Sequence, residues 1–361
     1  MQTRIAVAGV HGHGATHVTN AHRYGDLVAI ADPRPPDDVG VPVFASLEEL
    51  LAATEVDVVV ISTPIQTHVP LAELALRAGA DVLLEKPPTA SLAEFDHLSK
   101  VIEETGRACQ VGFQAQASAA TWQLAQLVTD GGLGEIRGIS ATGKWLRKAG
   151  YFDRAPWAGR RTLNGVAVVD GAVTNPLAHS TAAALLLDGS TGVDDIASVE
   201  TDLFRANDIE SDDTSTVRIT TTRGTSILIA VTLCAAEQAE PAVIVHGSRG
   251  RAVLNYTTDT LELPDSRQVL ARGDLLQNLI AHRADPAVPL YCSFAATGGF
   301  TRVVEAIRLA DEPAVIADAF VRWEGEGADR HPIVHDVEHW IDRAADELAL
   351  FGELPAPWTT P

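Results

Sequence analysis

The sequence predicts an α/β protein with two domains, a doubly wound parallel sheet followed by an α+β domain built on a mostly antiparallel sheet. At 361 residues the chain exceeds the usual size of a single core. Its first third alternates apolar runs with helical stretches, as in parallel sheets covered on both faces. From about residue 118, strands follow one another without helices, which indicates antiparallel pairing. The predicted domains are residues 1–117 and 118–361.

The elements of the first domain follow from short apolar runs and helical periodicity. Strands are predicted at Ile5–Ala8, Leu27–Ala31, Val56–Ser62, Asp81–Leu84 and Cys109–Phe113. Helices are predicted at His17–Tyr24, Ser46–Ala53, Thr67–Ala78 and Leu92–Thr105.

The second domain is predicted to open with one helix and to continue as a series of alternating strands. The helix is Ala117–Thr129, and the strands are Ile136–Trp145, Val199–Arg205, Thr214–Thr222, Ser226–Leu233, Ala242–Gly247, Ala252–Tyr256 and Thr260–Leu263. Ala182–Leu187 is expected to be an apolar helix, and two further helices are expected at Phe294–Ala310 and Val334–Ala349.

Composition excludes several classes of protein. A net charge of −21 disfavours nucleic acids and anionic membranes as partners, because binding phosphate groups requires a basic face. No apolar run approaches the roughly 18 residues of a membrane span, and no leader precedes the first strand, so we expect a cytoplasmic protein. The three cysteines are widely separated and odd in number, which predicts neither disulfides nor a metal knuckle.

A glycine-rich turn follows the first strand and precedes a helix. Gly9 and Gly14 fit the first and third positions of a dinucleotide-binding turn, while His11 replaces the second glycine and Gly12 lies beside it. Such turns bring backbone N–H groups close to a pyrophosphate at a helix N-terminus. A plain tight turn is the alternative.

Asp32 ends the second strand, where an acidic residue binds the ribose hydroxyls of a dinucleotide. Its carboxylate would repel a 2′-phosphate, so NAD is favoured. Arg34, two residues further on, favours NADP instead and keeps that cofactor possible.

Glu85, Lys86 and Pro87 follow a buried strand at its carboxyl end, where open parallel sheets bind ligands. Lysine occurs at only four positions among the 27 Lys and Arg residues, so Lys86 is unlike an ordinary surface charge. A strand-end lysine with an exposed head group is the alternative reading.

Four motifs together resemble the Gfo/Idh/MocA oxidoreductases, which include sugar and cyclitol dehydrogenases related to glucose–fructose oxidoreductase and inositol dehydrogenase. The motifs are Asp57–Pro64 (Asp-Val-Val-Val-Ile-Ser-Thr-Pro), Thr67-His68, Leu74–Gly79 and Glu85-Lys86-Pro87. The resemblance is close over residues 4–113 and implies a Rossmann domain followed by an α/β domain. It also implies a large open-faced sheet that builds a homodimer or homotetramer.

The resemblance assigns roles to residues near the glycine turn. Thr63, Pro64 and His68 are expected to line the nicotinamide side of the cofactor site. Lys86 is the family's lysine, placed between the nicotinamide ribose and the substrate hydroxyl, where its ammonium can stabilise a developing alkoxide. Glu85 either orients Lys86 or only pairs with it.

The second half of the family's active site departs from the usual pattern. Asp170 is present, but Thr174 replaces the expected histidine and Leu177 the second aspartate. A divergent branch of the family is implied, in which other residues frame the substrate, namely Tyr151, Arg154, Trp157, Arg160, Asn175 and His179.

Asn175 followed by Pro176 is typical of a helix N-cap with proline at the first helical position. His179 would then lie about one turn inside the helix, where the helix dipole disfavours imidazolium and keeps the ring neutral for general-base work. Asp170 would orient His179 or bind a second hydroxyl. In the alternative reading, Asn175 only caps and His179 only packs.

The leading hypothesis is therefore an NAD(P)-dependent oxidoreductase acting on a secondary hydroxyl of a sugar, sugar derivative or cyclitol, with catalytic residues Lys86, Asp170 and His179. Arg154, Arg160 or Arg161 would hold a carboxylate if the substrate were an acid sugar. Two alternatives stay open, namely redox-assisted glycoside cleavage and a dinucleotide-binding sensor without turnover.

No metal is expected. His331, His335 and His339 are spaced for one helix face, but Pro332 and the absence of a neighbouring cysteine argue against a ligand set. His11 and His13 are expected to replace small residues near phosphate, and His17 to lie behind the cofactor.

Overall fold

The computed structural model describes residues 2–35 and 39–359, which divide into two compact units. Unit 1 is the chain up to Ala117 together with Gly273–Thr297, and unit 2 is Ser118–Arg272 together with the chain from Gly298 onward. The sequence had assigned residues 273–297 to the second domain. That assignment is corrected here, because this segment contributes to the core of unit 1.

Ten helices and nineteen strands are present in the described residues. The helices are α1 Gly14–Tyr24, α2 Leu47–Ala53, α3 His68–Arg77, α4 Leu92–Thr105, α5 Ala119–Thr129, α6 Ala149–Phe152, α7 Ala178–Asp188, α8 Leu275–Ala284, α9 Gly298–Leu309 and α10 Val337–Glu347. The strands are β1 Arg4–Ala8, β2 Asp26–Ala31, β3 Val43–Phe44, β4 Val58–Ile61, β5 Asp81–Leu84, β6 Cys109–Val111, β7 Ile136–Lys144, β8 Thr162–Leu163, β9 Val166–Ala167, β10 Ile196–Arg205, β11 Thr214–Thr221, β12 Ser226–Thr232, β13 Ala242–Gly247, β14 Gly250–Asn255, β15 Thr260–Leu263, β16 Ser266–Val269, β17 Ala314–Val315, β18 Val321–Glu324 and β19 His331–Val334.

Unit 1 is built on a six-stranded parallel sheet with the order β3-β2-β1-β4-β5-β6. This confirms the predicted fold class of the first domain. The central strand β4 is apolar throughout and fully buried, as expected where helices cover both faces of a sheet. Ser91 caps α4 by accepting the N–H of Glu94 at 3.2 Å, and Gly106 ends that helix at φ +61°.

Helix α8 explains why residues 273–297 belong to unit 1. Its leucines pack into the same apolar cluster as β1 and β5, namely Leu275, Leu276 and Leu279. Arg283, near the end of α8, donates hydrogen bonds to Asp81 at 2.7 Å and to Asp57 at 3.2 Å. The residues just before β4 and at the start of β5 are thus held by a segment about two hundred positions away in sequence.

Unit 2 contains a nine-stranded sheet with the order β16-β15-β14-β13-β7-β12-β11-β10-β17. The pairs β7–β12 and β10–β17 are parallel, and the other neighbours are antiparallel. The mixed, mostly antiparallel sheet confirms the predicted fold class of the second domain. The Thr221–Thr225 connection between β11 and β12 is a tight hairpin, with Gly224 at φ +85°.

Two helices cover opposite faces of the central strands of this sheet. A Cβ on Gly143 would lie 2.5 Å from Leu177, just before α7, whereas a Cβ on Gly138 would lie 2.3 Å from Leu348, just after α10. Because alternate residues of a strand point to opposite faces, α7 and α10 lie on different sides. On its side of the sheet, α10 packs over the central strands β7 and β12.

The predicted helix Val334–Ala349 is corrected at its start. His331–Val334 forms β19, which pairs antiparallel with β18, and α10 begins only at Val337 after Asp336 adopts φ +56°. His331 therefore lies on a strand, and the three histidines spaced four apart do not share a helix face. No helix in the described parts of the chain combines the length and apolar composition needed to cross a membrane.

Candidate cofactor and substrate sites

The turn between β1 and α1 requires glycine at two positions. Gly9 has φ +80°, and a Cβ there would lie 2.4 Å from the carbonyl oxygen of Ser62. A Cβ on Gly14 would lie 2.2 Å from the carbonyl oxygen of Gly9. Gly12 has φ +57° and faces open space. The backbone is therefore tightly packed at Gly9 and Gly14, and the turn leads directly into the N-terminus of α1. This combination is suited to binding a pyrophosphate.

Asp32 is buried and organises the same turn. Its Oδ2 accepts the N–H of Val10 at 3.0 Å, and its Oδ1 accepts the N–H of Arg34 at 2.8 Å. The ring of His11 lies beside them, with Nε2 2.6 Å from the Arg34 carbonyl oxygen. Each carboxylate oxygen keeps a second lone pair for a ribose hydroxyl. The residues therefore fit a dinucleotide, with His11 packed where the fingerprint has its second glycine.

Glu85 is fixed by three contacts at the end of β5. Its Oε1 lies 2.8 Å from Nε2 of His17, and its Oε2 accepts the backbone N–H of Lys86 at 3.2 Å. The carboxylate packs against Gly112, where a Cβ would lie 2.9 Å from Oε1. Burial opposes ionisation of Glu85, but the His17 hydrogen bond and nearby positive charges outweigh it and lower its pKa to about 2. Glu85 therefore positions the backbone of the half-buried Lys86.

His13 completes a group of potential metal ligands. The ligand atoms of His13, His17 and Glu85 lie within 4.8 Å of one another. Burial lowers the pKa of His13, and its Nε2 lies 2.8 Å from the side-chain nitrogen of Gln114. The ammonium of Lys86 contributes positive charge to the same region. The two histidines lie near Glu85 because they contact its carboxylate, at 2.8 Å for His17 and 3.5 Å for His13, so no metal is needed to explain the cluster. A reaction without a metal stays our prediction.

His68, the first residue of α3, links the ends of two neighbouring strands. Its Nε2 lies 2.9 Å from the carbonyl oxygen of Thr63, after β4, and its Nδ1 lies 2.8 Å from that of Pro87, after β5. The ring is buried, and burial lowers the pKa of His68. The peptide bond between Lys86 and Pro87 is cis. His68 therefore connects the backbone just after Lys86 to the backbone just after β4.

In unit 2, the carboxylate of Asp170 contacts two predicted substrate residues, Asn175 and Arg154, and the backbone of Gly159, which precedes the predicted residue Arg160. Its Oδ1 accepts a hydrogen bond from Nδ2 of Asn175 at 2.5 Å, and its Oδ2 accepts the N–H of Gly159 at 2.7 Å. A guanidinium nitrogen of Arg154 lies 3.6 Å from Oδ2. The expectation that Asp170 orients His179 is corrected, because within the described residues its carboxylate is engaged by these other groups.

Asn175 is not the helix cap that the sequence predicted. Residues 172–177 form successive turns, α7 begins at Ala178, and Leu177 occupies the N-cap position. The amide nitrogen of Asn175 donates a hydrogen bond to Asp170. His179 is the second residue of α7, nearer its N-terminus than predicted, so the dipole argument for a neutral ring still applies. The ring of Tyr256 lies 5.9 Å away from that of His179.

The segment before Asp170 adopts a strained conformation. Val169 has φ +47°, which a β-branched residue rarely adopts. The hydroxyl of Thr174 donates to the carbonyl of Val169 and accepts the N–H of Gly171 at 3.0 Å. Thr174, which stands where the family has histidine, thus stabilises the turn that presents Asp170. Strain of this kind often marks a functional site.

Aromatic and guanidinium groups alternate beside Asp170. The Cζ atom of Arg154 lies 3.7 Å from the ring centroid of Tyr151 and 4.7 Å from that of Trp157. Arg160 pairs instead with Glu210. Arg154 and Arg160 line a cleft of about 1240 Å³ in unit 2, whose mouth carries both signs of charge.

Two residues with unusual environments escaped the sequence reasoning. Asp212 is buried, and its Oδ1 would lie 1.9 Å from a Cβ on Gly171. Burial raises the pKa of Asp212 to about 6, although a hydrogen bond from Ser215 opposes the shift. Arg147 packs beside Trp145 and Tyr151. Asp212 reaches Gly171 only in the folded chain. Trp145, Arg147 and Tyr151, in contrast, lie close together in the sequence, and that local pattern is a signal that could have identified Arg147.

Comparison with known proteins identifies both halves of the chain. Residues 3–113 match a family described as an oxidoreductase family with an NAD-binding Rossmann fold, and residues 121–253 match the GFO/IDH/MocA C-terminal domain. Inositol 2-dehydrogenase of Rhizobium meliloti (strain 1021) is 27% identical over 151 residues, which cover 40% of this chain and 46% of that protein. Inositol 2-dehydrogenase of Corynebacterium glutamicum is 30% identical over 203 residues, or 49% of this chain and 60% of that protein. The chain thus spans less than two thirds of the length of these relatives.

Solved structures share the fold over most of the chain. The WlbA dehydrogenase from Bordetella pertussis, in complex with NADH and UDP-GlcNAcA, has a TM-score of 0.72 at 20% identity, covering 88% of this chain and 100% of that one. UDP-N-acetylglucosamine 3-dehydrogenase GnnA from Acidithiobacillus ferrooxidans has a TM-score of 0.68 at 22% identity, covering 86% and 97%. At these identities the likeness concerns the fold alone.

Proposed function

The chain belongs to the GFO/IDH/MocA family of oxidoreductases, and from that premise we propose that it transfers a hydride between nicotinamide and a secondary hydroxyl or ketone of a sugar, sugar derivative or cyclitol. One observation carries the proposal most directly. Lys86 follows β5 at the carboxyl edge of an NAD-binding Rossmann sheet, with its backbone fixed by Glu85 and by the neighbouring His68 contacts.

NAD supplies an electrophilic nicotinamide C4 that accepts the hydride. Gly9, Gly12, Gly14 and the N-terminus of α1 would hold its pyrophosphate, and Asp32 its adenosine ribose. The Asp32 carboxylate favours NAD over NADP, because a 2′-phosphate would add a second negative charge beside it. Thr63, Pro64 and Lys86 are the residues we assign to the nicotinamide side, and His68 and Glu85 position them.

We assign Lys86 the role of stabilising negative charge on the substrate oxygen. An ammonium held in a partly buried position lowers the energy of a developing alkoxide more than one in bulk water. Its fixed backbone means that little reorganisation is required when the charge appears. Lys86 is therefore the residue whose loss should affect turnover most.

We assign His179 the role of general base, which takes the hydroxyl proton at a ring nitrogen. Its place in the first turn of α7 disfavours the protonated ring, so the base is available near neutral pH. Asp170, Asn175, Arg154, Tyr151 and Trp157 are assigned to binding the other hydroxyls and the faces of the sugar ring. A cytoplasmic location and a homodimer or homotetramer remain predictions.

The experiment begins with the purified full-length protein, denatured and tested for released dinucleotide. A panel of inositols, glucose, glucuronate and UDP-N-acetylglucosamine is then assayed for reduction of NAD⁺ and NADP⁺, with Lys86→Ala protein as the matched control. Reduction of NAD⁺ by at least one compound, lost in the control, is the expected result. Protein that binds NAD⁺ but oxidises no compound would contradict the proposal and favour a sensor. Glycoside cleavage with retained NAD and no net reduction would favour the elimination chemistry instead.

A further inference from the structure

Three of the four arginines between residues 147 and 161 already have partners within unit 2. Arg154 lies beside Asp170, and Arg160 pairs with Glu210. Arg161 donates to carbonyl oxygens at the C-terminus of α9, at distances of 2.7 to 3.0 Å. Arg160 and Arg161 were expected to hold a substrate carboxylate, but these contacts commit both side chains to other groups.

Arg147 differs from the other three. It forms no ion pair with any carboxylate in the part of the chain that the structure describes. The groups that act on its charge are the Tyr151 side chain, which forms a hydrogen bond with it, and the like-charged Arg154. Its Nη1 donates to the Leu146 carbonyl at 3.1 Å and to Oε1 of Gln238 at 3.5 Å. Its Nε is buried and has no hydrogen-bond acceptor among the described residues. Burial also lowers the pKa of Arg147.

Aromatic rings hold the guanidinium of Arg147 in place. Its Cζ lies 4.5 Å from the ring centroid of Trp145 and 5.1 Å from that of Tyr151. The backbone is fixed as well, because the N–H of Arg147 donates to the Leu233 carbonyl at 2.9 Å. The Tyr151 ring also contacts Arg154, and Arg154 lies beside Asp170. A continuous series of contacts therefore connects Arg147 to the carboxylate of Asp170.

A partly buried cation without a counter-ion is costly unless something else supplies the negative charge. Cation–π contacts with Trp145 and Tyr151 offset part of that cost. The cation–π contacts leave N–H donors of the Arg147 guanidinium available. A planar guanidinium binds carboxylate and phosphate oxygens through two parallel hydrogen bonds. Aromatic faces beside such a cation also suit the apolar faces of a sugar ring. The chain carries a net charge of −21, so Arg147 is not one of many cations on a generally basic surface.

We propose that Arg147, together with Trp145 and Tyr151, forms an oxyanion site that binds the carboxylate or phosphate of a negatively charged sugar. This proposal rests on the proposed function, because it names the substrate class of the same enzyme. The shared chemistry is a sugar carrying an oxyanion. A carboxylate on the ring and a phosphate ester are its two sources, and the experiment separates them.

Isothermal titration calorimetry of the protein saturated with NADH tests the site with three probes: D-glucuronate, D-glucose 1-phosphate and neutral D-glucose. NADH is used in place of NAD⁺ because it cannot accept a hydride from a sugar hydroxyl, so binding is not accompanied by turnover. We expect one of the charged probes to bind at least about tenfold more tightly than glucose, since a hydrogen bond to a charged group contributes that much. The tighter of the two identifies the source of the oxyanion. In Arg147→Gln protein the preference should disappear while glucose affinity is unchanged.

The matched control is Arg267→Gln, because Arg267 is exposed and pairs with Glu262 at 3.1 Å. This variant should retain the full preference. Phenylglyoxal labelling of the wild-type protein, read by mass spectrometry, provides a second test that needs no folded variant. The tighter charged probe should slow modification of Arg147 severalfold, and glucose should not.

Charged probes that bind no more tightly than glucose would overturn the proposal, as would a preference retained in Arg147→Gln or labelling of Arg147 that no probe slows. Binding is measured without turnover, so failure of this proposal is distinguishable from failure of the proposed function. A protein that prefers charged sugars but never reduces NAD⁺ would support the oxyanion site and contradict the proposed enzymatic function.

Discussion

The imidazole Nε2 of His17 lies 2.8 Å from Oε1 of Glu85. This contact joins helix α1, which begins at the glycine turn, to the residue immediately before Lys86. The turn that would bind pyrophosphate and the lysine that would act on substrate are therefore held by one buried interaction. This contact holds the glycine turn and the backbone next to Lys86 in a fixed arrangement, which positions the cofactor-binding turn and the lysine for reaction.

Replacing Lys86 with alanine should abolish turnover while leaving cofactor binding intact. The glycine turn and Asp32 are untouched by this change, whereas the charge that stabilises the alkoxide is lost. We expect kcat to fall by about 10² or more, with the Kd for NAD⁺ changed less than about threefold. Stopped assays and calorimetry measure the two quantities. Lys100→Ala, on α4, is the control, and an undiminished kcat in Lys86→Ala would refute the assigned role.

His179→Ala should lower kcat on the order of 10² or more if His179 is the base. Thr174→Ala should instead cost about 1 kcal/mol in the free energy of unfolding, because the buried hydroxyl bonds to Val169 and Gly171. Its effect on kcat should be much smaller. Steady-state kinetics combined with urea denaturation separates the two variants. The opposite ranking in kcat would place the base elsewhere.

Asp32→Asn should shift the cofactor preference toward NADP. The amide keeps one of the two oxygen acceptors that Asp32 offers to the N–H groups of Val10 and Arg34, and it loses the charge that repels a 2′-phosphate. We expect the ratio of kcat/KM for NADP⁺ to that for NAD⁺ to rise about tenfold. Arg34→Ala provides the comparison, and it should reduce whatever use of NADP⁺ the wild type has. An unchanged ratio in Asp32→Asn would contradict the role of the carboxylate.

Asp57→Asn should destabilise the fold in a pH-dependent way. Hydrogen bonds from Arg4 lower the pKa of Asp57 to about 2, from an ordinary value of 3.8. A depressed folded-state pKa contributes stability that is present above the unfolded value and is lost as the pH falls through the folded value. After allowance for solvent screening, the difference should be about 1 kcal/mol at pH 7. It should vanish between about pH 4 and pH 2.

Urea denaturation at several pH values measures this difference in the free energy of unfolding. Asp26→Asn is the control, because Asp26 is exposed on β2. A loss of stability in Asp57→Asn that stays constant down to pH 2 would show that the carboxylate charge is not the cause.

Local patterns predicted most of the parallel sheet, since the apolar run at Val58–Ile61 and the glycines at positions 9 and 14 carry their reasons in the sequence. Helix α8 was missed because its place depends on partners far away in the chain, such as the Arg283 contacts with Asp57 and Asp81. Two-residue strands such as β3 are too short for any periodicity to predict.

The candidate substrate residues show the same limit. Asn175-Pro176 resembles a helix cap, but residues 172–177 form turns and α7 begins only at Ala178. The amide nitrogen of Asn175 donates to the carboxylate of Asp170. Asp212 gained its environment from tertiary packing, whereas the aromatic neighbours of Arg147 lie close to it in the sequence. The sequence grouped Asn175 and Arg154 with Asp170, but it did not predict that both side chains would contact the Asp170 carboxylate.

A crystal structure of the protein with NAD⁺ would show whether the Lys86 ammonium reaches the bound cofactor. We expect dinucleotide along the glycine turn, with the ammonium of Lys86 within about 4 to 6 Å of the nicotinamide ribose, where charges still influence one another strongly. A nicotinamide ring beyond the reach of that ammonium, or crystals grown with saturating NAD⁺ that hold no dinucleotide in unit 1, would contradict it.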